Sequence, residues 1–414
     1  MKRVLVLSYH DHPSEGHALS RYIAIKKRGY DAHFFSLIAT MPDKEPYVFD
    51  ASKFFSPSFF WYRIKRKLNT FFRKACVIDG KEEYCYFNTS YYYPVSAKYI
   101  LNHSISNPDA IILGWCDYFI SPQILYELYK LTKAKIIIPM VDAHILGGGC
   151  HYPCDCTQYT SGCKKCPVLK NSRLPQRLYE NKMKYLRDLP FTLVGTTYDL
   201  QRASKVPFLK NKEMLQTIGT PVIPFVKTKE EARKKFNIDI DDFVILCGGY
   251  SLSDKRKGFR YLLDAINQFN AVIISQRKVT LLMLGKDDME LPLPKEIKII
   301  KPGFLNLEDL FIAYYAADVF VSPSIDDSGP YMVNYSIACG TPVISFPIGI
   351  ALDLVKHKET GYLANYLDAA SIADGLREFY EMQPEQYDKI SKNCLNLMER
   401  LRKESEPWYM KVLE

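Results

Sequence analysis

Short apolar runs alternate with helix-like stretches along this chain, and the alternation stops once and then restarts, which restricts the fold more than any other feature. Residues 4–7, 30–37, 110–115, 135–141 and 191–196 read as strands, with helices over 18–27 and 124–131 and from about 200. Strands separated by helices imply a parallel sheet covered on both faces. The stretch 218–224, with Gly219-Thr220-Pro221 and then Pro224, interrupts the series and reads as a linker. A charged helix over 230–236 follows, and a strand at 243–247 opens a second series. Its further strands fall at 279–284, 297–300, 319–321 and 342–346, and its helices at 259–269, 307–316 and 331–339. The expectation is α/β, with two doubly wound parallel-sheet domains. A length of 414 residues agrees, because one hydrophobic core rarely grows that large.

Composition excludes several classes of protein. Apolar residues at 47% and charged residues at 24% are ordinary globular usage, so the chain is neither fibrous nor disordered. Runs such as 136–141 are far too short to span a bilayer. The opening Met-Lys-Arg and its short apolar run lack the length of a signal peptide, which predicts a cytoplasmic protein. Eleven Cys in such a chain argue for metal binding or burial over a disulfide framework. A formal charge of +9 favours anionic partners such as phosphates and nucleotides.

Two segments of the second series carry the chemistry. The first runs from Gly248-Gly249-Tyr250 to Lys255-Arg256-Lys257-Gly258, where glycines admit a ligand to the backbone and three cations precede a helix. Cations so placed can neutralise a leaving diphosphate without a metal. Read alone, a basic triplet is also what a solvated turn looks like. The second segment is Ser322-Pro323-Ser324-Ile325-Asp326-Asp327-Ser328-Gly329-Pro330, followed by a helix and Cys339-Gly340-Thr341-Pro342-Val343. Farther on come Gly349 to Asp353 and Thr360-Gly361-Tyr362-Leu363.

These motifs, with Leu284-Gly285, Pro302-Gly303-Phe304 and Tyr315-Ala316-Ala317-Asp318-Val319, resemble the family 4 (group 1) glycosyltransferases in order and spacing from residue 248 to 363. The resemblance implies the GT-B architecture: two Rossmann-like domains facing across a cleft. It divides the chain into an acceptor-binding domain over 1–222 and a nucleotide-sugar-binding domain over 223–385. Residues 386–414 are expected to form a helical segment packing back on the first domain. It also implies that Lys257 and Arg256 contact the donor diphosphate, that Phe304 cradles the base, and that Asp327 faces the donor sugar within a loop of Asp326, Ser328 and Gly329. Gly16 and Gly249 are expected at the donor phosphates. The family places two Glu eight residues apart, and here those positions are Asp327 and Tyr335, or, one residue earlier, Asp326 and Asn334. Neither pair offers the second carboxylate, since a tyrosine or amide cannot act as a charged bidentate acceptor.

In the first half, Asp142 and His144 follow a strand and are expected to orient the acceptor hydroxyl or the donor sugar. Gly148-Gly149-Cys150-His151-Tyr152 continues into Cys154, Cys156, Cys163 and Cys166, and resembles the multi-Cys loop of a polysaccharide-building subset of the same family. Five Cys within so short a span have the density of a structural zinc site using four of the five. Reduced, unliganded cysteines are the alternative. Residues 53–76 hold seven cations, no acids and eight aromatics. That composition fits peripheral contact with the inner face of a membrane or a helix packing its aromatics inward, and no nucleic-acid motif accompanies it.

The expected function is a retaining, hexosyltransferase-type enzyme. It would move a sugar from a UDP- or GDP-type donor to a glycan, lipid-linked or free, in cell-surface polysaccharide biosynthesis. Catalysis needs no cofactor on this reading, and zinc is structural. The alternative is a catalytically weak nucleotide- or glycan-binding protein of the same fold, motivated by the missing carboxylate.

Overall fold

The computed structural model describes residues 1–11, 18–38, 48–50, 60–61, 64, 67–68, 77–78, 85–86, 95–272, 277–286, 291–329, 331–404 and 408–413. The chain forms two compact units. The first comprises residues 1–195, 199–217 and 407–414, and the second residues 196–198 and 218–406.

The first unit contains strands β1 (Arg3–His10), β2 (Asp31–Ile38), β3 (Val48–Asp50), β5 (Ala110–Leu113), β6 (Lys135–Pro139), β8 (Thr192–Gly195) and β9 (Glu213–Gln216) in one sheet. Their order is β3-β2-β1-β5-β6-β8-β9, and every pairing is parallel. A separate antiparallel pair joins β4 (Cys85–Tyr86) to β7 (Cys150–Tyr152). Helices α1 (Ala18–Lys27), α2 (Ala97–Asn102), α3 (Pro122–Thr132), α4 (Arg173–Leu186) and most of α5 (Thr197–Ser204) complete the unit.

Because side chains alternate across a strand, neighbouring residues of one strand feed two cores. Leu5, Leu7, Phe35, Ile111 and Ile136 enter one. Val4, Val6, Phe34, Ile112 and Ile137 enter the other, where α1 and the C-terminal helix pack. Such strands read as continuous apolar runs because both faces are covered.

The second unit repeats the plan with β10 (Phe243–Ser251), β11 (Val279–Lys286), β12 (Lys298–Gly303), β13 (Val319–Ser322), β14 (Val343–Ser345) and β15 (Gly361–Leu363). The order is β12-β11-β10-β13-β14-β15, again all parallel. Its helices are α6 (Lys229–Lys235), α7 (Phe259–Val272), α8 (Leu307–Ala316), α9 (Tyr331–Ala338), α10 (Ala351–Leu354), α11 (Ala369–Tyr380) and α12 (Pro384–Glu404), while α13 (Trp408–Leu413) belongs to the first unit.

One buried ion pair ties the second sheet to its neighbouring helices. Asp318, just before β13, accepts from the Val244 backbone N–H at 2.7 Å, from Arg233 of α6 at 2.8 Å and from Lys229 at 2.7 Å. Arg233 is buried and spends its remaining N–H groups on the carbonyls of Ala316, Asp239 and Ile240. A buried charge persists only when paired and hydrogen-bonded in this way.

The first unit's sheet segment ends at Thr217 and the second unit resumes at Ile218, just before Gly219-Thr220-Pro221. The C-terminal segment divides differently from the expectation. Helix α12 stays with the second unit because Ile390, Cys394, Leu397 and Met398 are buried, and Cys394 Sγ donates to the Thr360 carbonyl. Gly340 sits against Ser391 and Leu395 of the same helix. Only α13 packs on the first unit, placing Trp408 and Leu413 in its core.

Candidate active site

In each sheet the chain runs outward in one direction from its first strand and then in the other, so a crevice opens at the carboxyl ends of two neighbouring strands, where ligands bind in open α/β sheets. In the second unit those strands are β10 and β13. The loops that follow them lock together. Residues Lys255–Lys257 form a single 3-10 turn, capped by the Asp254 carboxylate accepting from Arg256 N at 3.0 Å. The turn ends at Gly258, with φ +67°, where a Cβ would lie 1.9 Å from the Pro323 carbonyl oxygen. Glycine is required there by the neighbouring loop. The backbone N–H of Ile325 then donates to the Arg256 carbonyl at 2.8 Å.

This arrangement brings the predicted Arg256, Lys257, Asp326 and Asp327 together. Lys257 Nζ donates to Asp327 Oδ2 at 2.6 Å, and Arg256 Nη1 donates to the same oxygen and to the Asp326 carbonyl, each at 3.0 Å. Burial pushes the Asp327 carboxyl up, but the Lys257 and Arg256 charges and their hydrogen bonds outweigh it and hold the group at about 2. Asp327 is therefore ionised at neutral pH. Asp326 is fully buried, and its carboxylate accepts from Tyr198 at 3.4 Å. Ser328 is buried with no hydrogen-bond partner for its hydroxyl, and a Cβ at Gly329 would meet nothing within 4 Å.

Beside this cluster, Gly285 (φ +112°) lets β11 approach β10, since a Cβ there would fall 1.8 Å from the Gly249 carbonyl oxygen. Gly249 itself has room, with Lys257 Cγ 3.9 Å from where a Cβ would stand. Phe304 and Tyr250 are 56% and 76% exposed, and their rings lie 5.4 Å apart. Two open aromatic faces at the carboxyl edge of one parallel sheet can stack a planar base.

Asn334 and Tyr335 serve other ends. Asn334 is buried and its amide donates to the Gly219 carbonyl at 2.6 Å, fixing the linker residue. Tyr335 packs edge-on against Phe311 and Tyr331, with ring centroids 5.2 and 4.9 Å away, and burial pushes its phenol up to about 12. It is a neutral member of an aromatic cluster.

In the first unit, loops after β5 and β6 gather a second polar group. His151 lies between two carboxylates, with Asp117 Oδ2 2.7 Å from Nε2 and Asp142 Oδ2 against Nδ1. Burial opposes the charged imidazole, yet Asp142 and Asp117 together raise it to about 9. Asp142 is engaged throughout. It also accepts from Trp115 Nε1 at 3.1 Å and from the His144 backbone N–H at 2.8 Å. Burial works against its charge, and His151 and these bonds bring its pKa below the ordinary value. His144 stacks on His151 with centroids 4.8 Å apart. Burial, with the Lys182 and His151 charges, keeps it neutral far below the ordinary histidine range. Lys182 of α4 is buried and bonds the carbonyls of His144 and Gly147. These groups line one end of a cavity of about 120 Å³ whose other walls include Leu113, Ile138 and Leu178.

Asp117 and Lys182 are not among the residues that sequence reasoning singles out. They come to His144 from stretches 27 and 38 residues distant, and neither sits in a recognisable motif. The signal that could have found Asp117 is its place directly after β5, one of the two strands flanking the first unit's crevice.

The cysteines 150, 154, 156, 163 and 166 are all reduced and half-buried. Burial pushes the Cys150 thiol far up, and the other four add to the shift, so the five surround one locality. Cys163 Sγ accepts from Gly148 N at 3.3 Å. Gly16 lies outside the described residues, as does most of 53–76. Within that segment Phe60, Trp61, Lys67 and Leu68 are exposed and Ile64 is half-buried.

Residues 242–382 match the family model of the Glycosyl transferases group 1. The chain is 27% identical over 151 residues to an uncharacterized glycosyltransferase of Methanocaldococcus jannaschii, an alignment covering 35% of this chain and 37% of that protein. It thus spans well under half of that relative's length. Among solved structures, sucrose-phosphate synthase from Thermosynechococcus elongatus superposes with a TM-score of 0.63 at 16% identity, over 100% of this chain and 97% of that one. Anabaena HepE in complex with UDP-glucose gives a TM-score of 0.60 at 14% identity, over 97% and 95%. The fold is that of the GT-B glycosyltransferases, and residues 242–382 of the second unit are similar to the group 1 glycosyl transferases.

Proposed function

We propose that the chain is a retaining glycosyltransferase that moves a hexose from a nucleoside diphosphate sugar to a glycan, lipid-linked or free, in cell-surface polysaccharide assembly. The observation that carries this reading is the Lys257–Asp327–Arg256 cluster at the carboxyl ends of β10 and β13, inside the stretch matching the family. In transfer, the bond from the anomeric carbon to the diphosphate breaks and a bond to an acceptor oxygen forms, while the acceptor proton goes to the departing diphosphate. Negative charge grows on that leaving group. Lys257 and Arg256, held in place by Asp327, stabilise it more than they stabilise the intact donor. Phe304 and Tyr250 offer the base a stacking surface. That a neighbour of the same fold was solved with UDP-glucose supports a uridine donor.

Retention and the acceptor class rest on the resemblance to the polysaccharide-building subset with the Gly-Gly-Cys-His-Tyr loop. In that loop four of the five cysteines are assigned to a structural zinc. The donor set suits it, since thiolates are soft ligands and Cys150 is buried among the others. The protein acts at the cytoplasmic face, with 53–76 touching anionic lipid.

The test is a panel of UDP- and GDP-sugars, read first as a rise in melting temperature and then as sugar transfer to glycan acceptors. A specific ligand raises apparent stability by mass action. Stabilisation without turnover by any member favours the catalytically weak binding protein, a reading motivated by Asn334 and Tyr335 standing where a carboxylate is expected. No stabilisation by any member rejects both.

A further inference from the structure

We propose that Asp117, His144 and His151 bind a divalent first-row transition cation of the zinc class, at a site separate from the cysteine loop's thiols. One carboxylate oxygen and one nitrogen from each ring lie within 4.8 Å of one another, the sole such trio of His, Cys, Asp or Glu groups among the described residues. His151 Nε2 is 2.7 Å from Asp117 Oδ2, and His144 Nε2 is 3.5 Å from Asp117 Oδ1. Ligands on a tetrahedral zinc with bonds of about 2.0 to 2.1 Å stand about 3.4 Å apart, near both of these separations.

Two further observations point to a ligand. Asp117 Oδ1 and His144 Nε2 are both buried and have no hydrogen-bond partner. The Asp117 side chain is 2% exposed, which makes an unpartnered oxygen there costly unless something occupies the space beside it. The outer shell is also built. Asp142 holds His151 through Nδ1, which turns Nε2 toward the trio, and Asp142 is in turn fixed by Trp115 and the His144 backbone. A carboxylate behind a ligating histidine sets its tautomer and orientation.

Two imidazoles and one carboxylate leave a coordination position open, and the three residues line the cavity of about 120 Å³. Three protein ligands with an open position is the pattern of a site that takes an oxygen of a bound molecule. Histidine and carboxylate donors also distinguish it from the cysteines, which prefer softer ions.

The full chain, stripped of metal and titrated with Co²⁺ and Zn²⁺, tests the assignment. Beyond the thiolate charge-transfer bands of the cysteine loop, expected are a visible Co²⁺ spectrum of nitrogen and oxygen ligation and a further rise in melting temperature. Asp117→Asn and His144→Gln should abolish these signals, and Asp142→Asn should weaken the ion by about 10- to 100-fold while leaving the spectrum in kind. Replacing Cys163 and Cys166 by Ser should leave them intact. His144→Gln, at the more open edge of the cluster, guards against misfolding of the Asp117 variant. The proposal is overturned if the wild-type chain shows only thiolate-type cobalt, if binding persists in both ligand variants, or if Zn²⁺ gives no stabilisation.

Discussion

Lys257 Nζ and Asp327 Oδ2 stand 2.6 Å apart, which couples the 3-10 turn of Lys255–Lys257 to the loop after β13. The Lys257 side chain is only 21% exposed, so it is not the solvent-facing group that a basic turn suggests. Replacing it with Ala is expected to lower turnover by about a hundredfold, the scale for loss of one preorganised charge-stabilising group. The melting temperature should fall too, because Asp327 loses a partner. Arg256→Ala should cost less turnover. Steady-state kinetics with the correct donor and thermal melts of both variants decide it; near-native turnover in Lys257→Ala would place the diphosphate elsewhere.

Acid stability should report the same cluster. Asp327 is held at about 2, below the usual value for an unfolded chain near 3.8, so its pairing stabilises the fold fully above pH 4. That stabilisation, about 2 kcal/mol by linkage, is lost as pH falls from 4 through 2. Asp327→Asn should therefore melt below wild type at pH 7, with the gap closing over that acid window. A gap independent of pH would mean that the ion pair contributes nothing.

Phe304→Ala should raise KM for the nucleotide sugar by about tenfold with kcat little changed, because stacking on a base is worth about 1 to 3 kcal/mol and is equal in ground and transition states. Tyr250→Ala should act in the same direction. A fall in kcat alone contradicts a base-stacking role for this pair.

The cysteine loop is expected to carry one zinc in protein prepared without chelator. Serine at both Cys163 and Cys166 should release that equivalent and lower the melting temperature. Five freely titrating thiols in metal-free wild-type protein of unchanged stability would sink the assignment.

Residues 53–76 should bring the protein to anionic vesicles, with binding that weakens as salt rises. Equal co-sedimentation with neutral vesicles contradicts the electrostatic part.

Strands and helices with strong apolar runs are legible from the residues alone: α1 and α8 match their expected bounds, and β1, β5, β6, β10 and β13 lie within a few residues of theirs. Strand β15 and edge strand β9 are not, because three or four residues flanked by polar sequence carry no periodicity. Helices α2 and α11 also lie outside the expected elements, despite good caps from Ser96 and Asp368. The meeting of Lys257 and Asp327 is readable because both residues sit in motifs. The Asp117–His151–Asp142 sandwich is not, because its members meet only once β5 and β6 lie side by side. Nor does sequence reveal that Asn334 is spent on Gly219.

Helix α13 places Trp408 in the first unit's core, with Arg21 5.4 Å over its ring and Lys2 bonding the Leu413 carbonyl. On the ribosome, Lys2 emerges before the second unit and Trp408 only after residues 218–406 have been made. The first unit must therefore wait, with the α1 face of its sheet partly bare, while the second folds. Order of synthesis and order of completion are opposed in this chain, and the apolar surface around α1 is where a nascent-chain chaperone would find its longest-lived target.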